Sequence, residues 1–285
     1  MSKILFYLII KPLSYLPYWA LYGISNFLSF VFSYIIPYRK KVVLMNLEKS
    51  FPSKSDAEIK KICRHFYHHL CDLIVESIKL FSITSDQIQK RFKVNNPEIL
   101  QPYFDQGKSL IIVGGHYNNW EMLAAGIDQQ VAHETVALYS KLSNAFFDTK
   151  MKSSRGTFGL RMVTTKESFA YFKEEHTIPR MTIFGADQSP TYSKNVHWTK
   201  FLSQDTAVAL GTEKFAKKYD LPVVYGAIKK EKRGYYSLDI SVLTENPAET
   251  AEGEITEMHT KILEKQVVKQ PEYWLWTHKR WKRKK

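Results

Sequence analysis

Apolar residues are unevenly distributed along this chain. From Pro12 to Tyr38, "PLSYLPYWALYGISNFLSFVFSYIIPY", no residue carries a charge. About 20 apolar residues suffice to cross the hydrocarbon core of a bilayer. Tyr15, Tyr18 and Trp19 at one end, with Tyr34 and Tyr38 at the other, are placed as interfacial aromatics are, and Arg39, Lys40 and Lys41 follow at once. The pattern predicts an N-terminal hydrophobic helical anchor over residues 1–41, with the rest of the chain on the cytoplasmic side. Pro12, Pro17, Gly23, Ser25 and Asn26 interrupt the stretch, so a buried or interface-lying helix pair is the alternative to a span. The run is longer than a signal-peptide h-region and lacks a small-residue cleavage pattern.

Residues 42–94 read as a helical lead-in: Ser55 is a candidate N-cap, and Glu58 three positions on completes a capping box. From Asn95 the period changes. "SLIIVGG", "TVALYS", "TIPRMTIFGAD", "LPVVYGAIK" and "YYSLDISVL" read as strands, with helices expected over Asn118–Gln130, Asn144–Ser154 and Thr206–Tyr219. This alternation predicts an α/β core over residues 95–285, a mixed central sheet flanked by helices. The helical lead-in and this core together make one domain over residues 42–285. No repeat or glycine-rich phosphate loop is present.

The 285 residues are 44% hydrophobic and 24% charged, a globular composition. Forty-one Lys and Arg against 28 Asp and Glu give a net charge of +13, which suits anionic partners. Cys63 and Cys71, eight apart in a helical pattern, are too far apart for a disulfide and fit reduced thiols. "CRHFYHHLC" also holds His65, His68 and His69, but Phe66 and Leu70 mark an amphipathic helix with the histidines largely on its wet side. With neither a C-x-x-C pair nor HExxH nearby, no metal site is assigned.

The chemistry concentrates in "VGGHYNNWEM". A buried strand ending at Gly114-Gly115 puts His116 in a strand-to-helix turn at the carboxyl edge of the sheet, where open α/β proteins bind ligands. Glu121, in the first helical turn, is placed to orient the imidazole, making His116 a general base for a hydroxyl attacking an acyl carbonyl. The spacing from Asn118 to Glu121 also fits simple helix capping, so both readings stand.

"GGHYNNWEM" has the H-x4-[DE] form of the late acyltransferases of lipid A synthesis. "RGTFGLRMV", "FGADQSP" and "PEYWLWTHKRWK" follow in that family's order. Over roughly Asn46 to Trp281 the chain resembles this lauroyl and myristoyl acyltransferase family, part of the bacterial lysophospholipid acyltransferase superfamily. The resemblance implies a glycerol-3-phosphate acyltransferase-like fold and transfer of a fatty acyl chain from an acyl thioester to a lipid hydroxyl. It also implies acyl carrier protein or acyl-CoA as donor, no cofactor, and work at the cytoplasmic face of the inner membrane. His116 and Glu121 would be catalytic. Arg155, Arg161, Asp187, Asn119 and Trp120 would bind substrate, with Asp187 positioning Arg155 or the acceptor.

Plainer roles remain for these residues: a solvated basic loop for the arginines and a turn for Asp187. Trp120, Met122, Leu123, Trp198, Phe201 and Leu202 are candidates for an acyl-chain wall, or plain core. Many relatives have an aromatic pair and a glycine where this chain has "FLSQ". The favoured acceptor is a lipid A precursor, and a lysophospholipid, glycolipid or aminolipid would use the same chemistry. The last seven residues hold six cations, with Trp274, Trp276 and Trp281 nearby. Such a tail could bind nucleic acid, but the anchor and the H-x4-E turn favour a lipid surface or an acidic carrier instead.

Overall fold

The computed structural model of the chain describes residues 2–191 and 195–285. Near the N-terminus, α1 (Ser2–Leu5) and α2 (Lys11–Tyr15) are joined by a π-helical turn. Pro17 then separates them from α3 (Tyr18–Phe30), which continues as a second π-helical turn to Ile35. Among the described residues no single helix is long and apolar enough to cross a membrane; Tyr18–Ile35 and α4 (Lys40–Ser50) would qualify only together, and they are bent by 83°. The expected span is therefore not found as one helix, because Pro17 and the break before Lys40 divide the apolar run. Trp19, Phe27, Phe30 and Tyr34 instead form an exposed apolar flank, Trp19 at 79% exposure.

The opposite side of α3 packs on the long helix α5 (Asp56–Lys79) through polar contacts. Ser25 donates to Asp72 at 2.7 Å and Tyr22 donates to Glu76 at 2.8 Å. Ser55 caps α5 with Glu58 in the expected reciprocal box. On α5, His65 and His68 are exposed as expected, whereas His69 is buried. Cys63 and Cys71 are free and buried.

After α6 (Ser85–Arg91) and α7 (Gln101–Asp105), helices and strands alternate. The strands are β1 (Phe92–Val94), β2 (Leu110–Gly114), β3 (Glu134–Tyr139), β4 (Arg161–Thr164), β5 (Arg180–Gly185), β6 (Val196–Phe201), β7 (Gln204–Ala209), β8 (Val223–Lys232) and β9 (Tyr235–Thr244). Seven form one mixed sheet in the order β1-β9-β8-β2-β5-β3-β4. β8, β2, β5, β3 and β4 run parallel, and β9 turns back against β8. The predicted mixed α/β sheet is thus present. Along β2 the side chains alternate: Ile111 and Val113 enter the core beneath α5, while Leu110 and Ile112 enter the core on the other face.

The remaining helices are α8 (Trp120–Gly126), α9 (Ala145–Arg155), α10 (Ser168–Tyr171), α11 (Gly211–Tyr219) and α12 (Glu254–Lys269). The helix expected from Thr206 begins only at Gly211, because β6 and β7 form an antiparallel hairpin. Its turn residues Leu202 and Ser203 both have positive φ, 51° and 63°. A carboxylate of α12 supports that strained turn: Leu202 N–H donates to Glu264 at 2.5 Å.

Candidate active site

β2 and β5 are hydrogen-bonded neighbours, with Gly114 opposite Gly185 in the register. His116 and Asp187 each lie two residues past those paired glycines, so parallel pairing carries them to the same point on the carboxyl edge. The imidazole Nδ1 stands 2.6 Å from Asp187 Oδ1, and the His116 backbone N–H donates to Asp187 Oδ2 at 2.9 Å. A Cβ on Gly185 would come within 3.1 Å of His116 Cε1, so glycine leaves the ring its room. Burial favours neutral Asp187, but the His116 charge, its two hydrogen bonds and the Trp274 donor outweigh that and hold the carboxyl at about 2. For His116, burial disfavours the charged ring, and the Asp187 charge and hydrogen bond override it, raising the pKa above its ordinary value.

An ionised Asp187 accepts, so Nδ1 carries the proton and Nε2 keeps its lone pair. Nε2 faces the exposed Gln188, whose amide nitrogen is 3.3 Å away. The ring is one-quarter exposed. It can therefore accept a proton from a hydroxyl that displaces the Gln188 amide.

Glu121 does not orient this ring as expected. Its carboxylate is engaged by Arg155, whose Nε donates to Oε2 at 2.7 Å and Nη2 to Oε1 at 2.5 Å, while Trp120 Nε1 donates to Oε1 at 3.1 Å. The cause is helical geometry: Glu121 lies on the face of α8 that packs toward α9, whose last residue is Arg155. Burial works against the Arg155 cation, but the Glu121 hydrogen bond and charge more than compensate, and its pKa is raised. Asp187, expected to position Arg155 or the acceptor, instead pairs with His116.

Of the other expected residues, Trp120 lies edge-on to His116 at 5.1 Å between ring centroids. Asn119 is buried and caps α8, accepting from Met122 N–H at 2.9 Å and donating to Glu76 at 2.6 Å. The cap is thus Asn119 rather than Asn118. Arg161 stays outside the site: it opens β4, and the amino ends of these parallel strands lie on the edge opposite His116. There it pairs with Glu174 through both terminal nitrogens, at 2.8 and 2.9 Å.

A pocket of about 730 Å³ opens beside His116, between the sheet and helices α8 and α9. Its mouth carries His116, Gln188, Lys152 and Arg155, and its depth is apolar, with Ile112, Leu123, Ala137, Leu138, Met151 and Ile183. Size and lining are those of a small-molecule site. Trp120 and Leu123 line it, as proposed for the acyl-chain wall; Met122, Phe201 and Leu202 are core, and Trp198 is on β6 outside the pocket.

Sequence reasoning missed the role of the C-terminal segment in holding the site. Trp274 Nε1 donates to Asp187 Oδ2 at 2.8 Å, and Ser189 N–H donates to His278 Nε2 at 2.9 Å. Tyr117 bridges to Trp274, and Asn118 N–H donates to Tyr273 O. Trp274 and Trp276 are buried, so they form core rather than an interfacial belt. No local spacing announces contacts between segments so far apart in the chain.

A family model described as bacterial lipid A biosynthesis acyltransferase matches residues 3–283. The chain is 24% identical over 259 residues to the lipid A biosynthesis palmitoleoyltransferase of Escherichia coli (strain K12), covering 86% of this chain and 79% of that one. The same figures hold for a lipid A biosynthesis acyltransferase of Shigella flexneri.

Proposed function

The chain belongs to the bacterial lipid A biosynthesis acyltransferase family, and from that premise we propose that it moves a fatty acyl chain from an acyl thioester to a hydroxyl of a lipid A precursor, with His116 as general base. What carries this reading is one juxtaposition: an imidazole fixed by Asp187, its Nε2 turned to the exposed Gln188 amide, at the mouth of an apolar pocket of about 730 Å³. The acyl chain lies among Leu123, Ala137, Met151 and Ile183. The acceptor hydroxyl displaces the Gln188 amide, gives its proton to Nε2 and attacks the thioester carbonyl. The thiolate leaves, and the imidazolium proton returns to it.

Arg155, held by Glu121, and Lys152 supply fixed positive charge at the mouth, suited to a phosphate of donor or acceptor and to developing oxyanion charge. In this scheme Glu121 serves catalysis through Arg155 rather than through the imidazole. Asn119 and Arg161 take no part in binding, and Trp120 flanks the bound chain. Acyl carrier protein is the favoured donor over acyl-CoA because the chain carries +13 and the carrier is acidic. The exposed aromatic flank of α3 supports attachment to the inner membrane in the interface plane, with the catalytic core on the cytoplasmic side.

Lipid mass spectrometry of cells with the chain, without it, and with only H116A tests the reading. A lipid A species one acyl chain short in the last two supports it. An unchanged lipid A profile contradicts it, and the same loss in another lipid class moves the acceptor there.

A further inference from the structure

A second, much smaller cavity lies behind Asp187, on the side away from the substrate pocket. It measures about 10 Å³, close to the roughly 10–15 Å³ that houses one water. Asp187, Tyr225, His259, Thr260 and Arg280 line it. Arg280, from the C-terminal segment, is 3% exposed; its Nη2 donates to Ala207 O at 2.8 Å, yet its Nε has no hydrogen-bond partner among the described residues. His259, on α12, is 4% exposed, and its Nε2 likewise has none. An unpaired buried N–H on a charged group is costly. The unpaired Nε–H of Arg280 and the unpaired ring nitrogen of His259 belong to two residues that line this one small cavity, and a donor and an acceptor so placed point to a shared occupant.

We propose that Arg280 is a positioning residue for the His116–Asp187 pair: one buried water joins Arg280 Nε to His259 Nε2, and the guanidinium fixed behind Asp187 lowers the proton affinity of the His116 ring. Arg280 Nε–H donates to the water, which donates to His259 Nε2. His259 can accept because burial holds it neutral, with a pKa of about 4. This assignment rests on the acyl-transfer reading, in which His116 must be neutral to act.

The groups around Asp187 fix the sign of the effect. His116 meets it from the β2 turn, Trp274 and His278 from the C-terminal segment, His259 from α12 and Tyr225 from β8. Glu121 and Arg155 act on His116 from the pocket side, and Lys282 lies near His278. His278, like His259, is lowered to about 4 by burial and stays uncharged near neutrality. Tyr225 is raised by burial and stays protonated there. Removing the Arg280 cation therefore leaves Asp187 less opposed and raises the His116 pKa.

The experiment follows the His116 imidazole by NMR of ring-labelled histidine as pH is varied, in wild type, R280Q and R280K, with melting temperatures alongside. R280Q is expected to raise the His116 pKa by roughly 0.5 to 1 unit, while R280K, which keeps the charge, stays within about 0.2 unit of wild type. An unchanged His116 pKa in folded R280Q overturns the proposal, whatever its melting temperature. Should R280Q not fold, wild-type crystals diffracting well enough to show ordered water decide: a water within hydrogen-bond distance of both nitrogens supports it, and none overturns it. Neither readout needs turnover, so a wild type without acyl transfer would sink the functional reading alone.

Discussion

Two carboxylates stand beside the His116 turn, and they reach it by different routes. Glu121 is five residues along the chain, on the first turn of α8, and ends on Arg155. Asp187 is 71 residues away, at the end of the strand paired with β2, and ends on the imidazole. Local spacing brings a residue near; strand pairing decides which group it can touch. On a helix the side chain of Glu121 follows the packing of α8 against α9. Past a strand end, an equal offset from paired glycines places His116 and Asp187 face to face. In the proposed scheme the pair at the sheet edge serves proton transfer, and the pair between the helices supplies charge at the pocket mouth.

Removing the base should break this division most severely. H116A should lose about 10²- to 10⁴-fold in kcat with an unchanged melting temperature; near-normal turnover by the purified variant would remove proton transfer from this turn altogether. D187N keeps the shape but donates where Asp187 accepts, so it should lose roughly 10²-fold in kcat, with little change in KM. A loss confined to KM would assign Asp187 to substrate instead.

E121Q should act more mildly and on a different constant. It weakens the clamp on Arg155, so kcat/KM should fall about 10-fold, the size of one charged hydrogen bond, mainly through KM for the phosphate-bearing substrate. A kcat loss equal to that of D187N would erase the distinction between the two carboxylates. Smallest of all, changing Lys282, Arg283, Lys284 and Lys285 to Gln should raise KM for acyl-ACP by roughly 3-fold at low salt and flatten its salt dependence. An equal change with acyl-CoA would point to the membrane surface as the tail's partner.

Much of the core architecture is legible in the residue pattern. β2, β3, β5, β8 and β9 announce themselves as apolar runs bounded by turn residues, and Ser55 with Glu58 marks the start of α5 within one residue. The β6–β7 hairpin stays hidden because Leu202 and Ser203 occupy left-handed positions that glycine or asparagine normally signals. His116 stands out because Gly114-Gly115 ends a buried strand. Asp187 stands out as a strand-end carboxylate, but its partner does not, since the register between β2 and β5 is a tertiary fact. Trp274, Arg280 and His259 lie beyond any local pattern, for each meets Asp187 only after the C-terminal segment and α12 have packed.

The division of labour is tested most directly by the acid limb of kcat/KM against pH, which reports the free-enzyme pKa of the base, in wild type, D187N and E121Q. Asp187 raises the His116 pKa by charge and hydrogen bond, and Glu121 raises it by charge alone. Rate should therefore climb through a pKa above about 6.5 in wild type, and the limb should move to lower pH in both variants, furthest in D187N. A larger downward move in E121Q than in D187N, or none in D187N, would contradict the account.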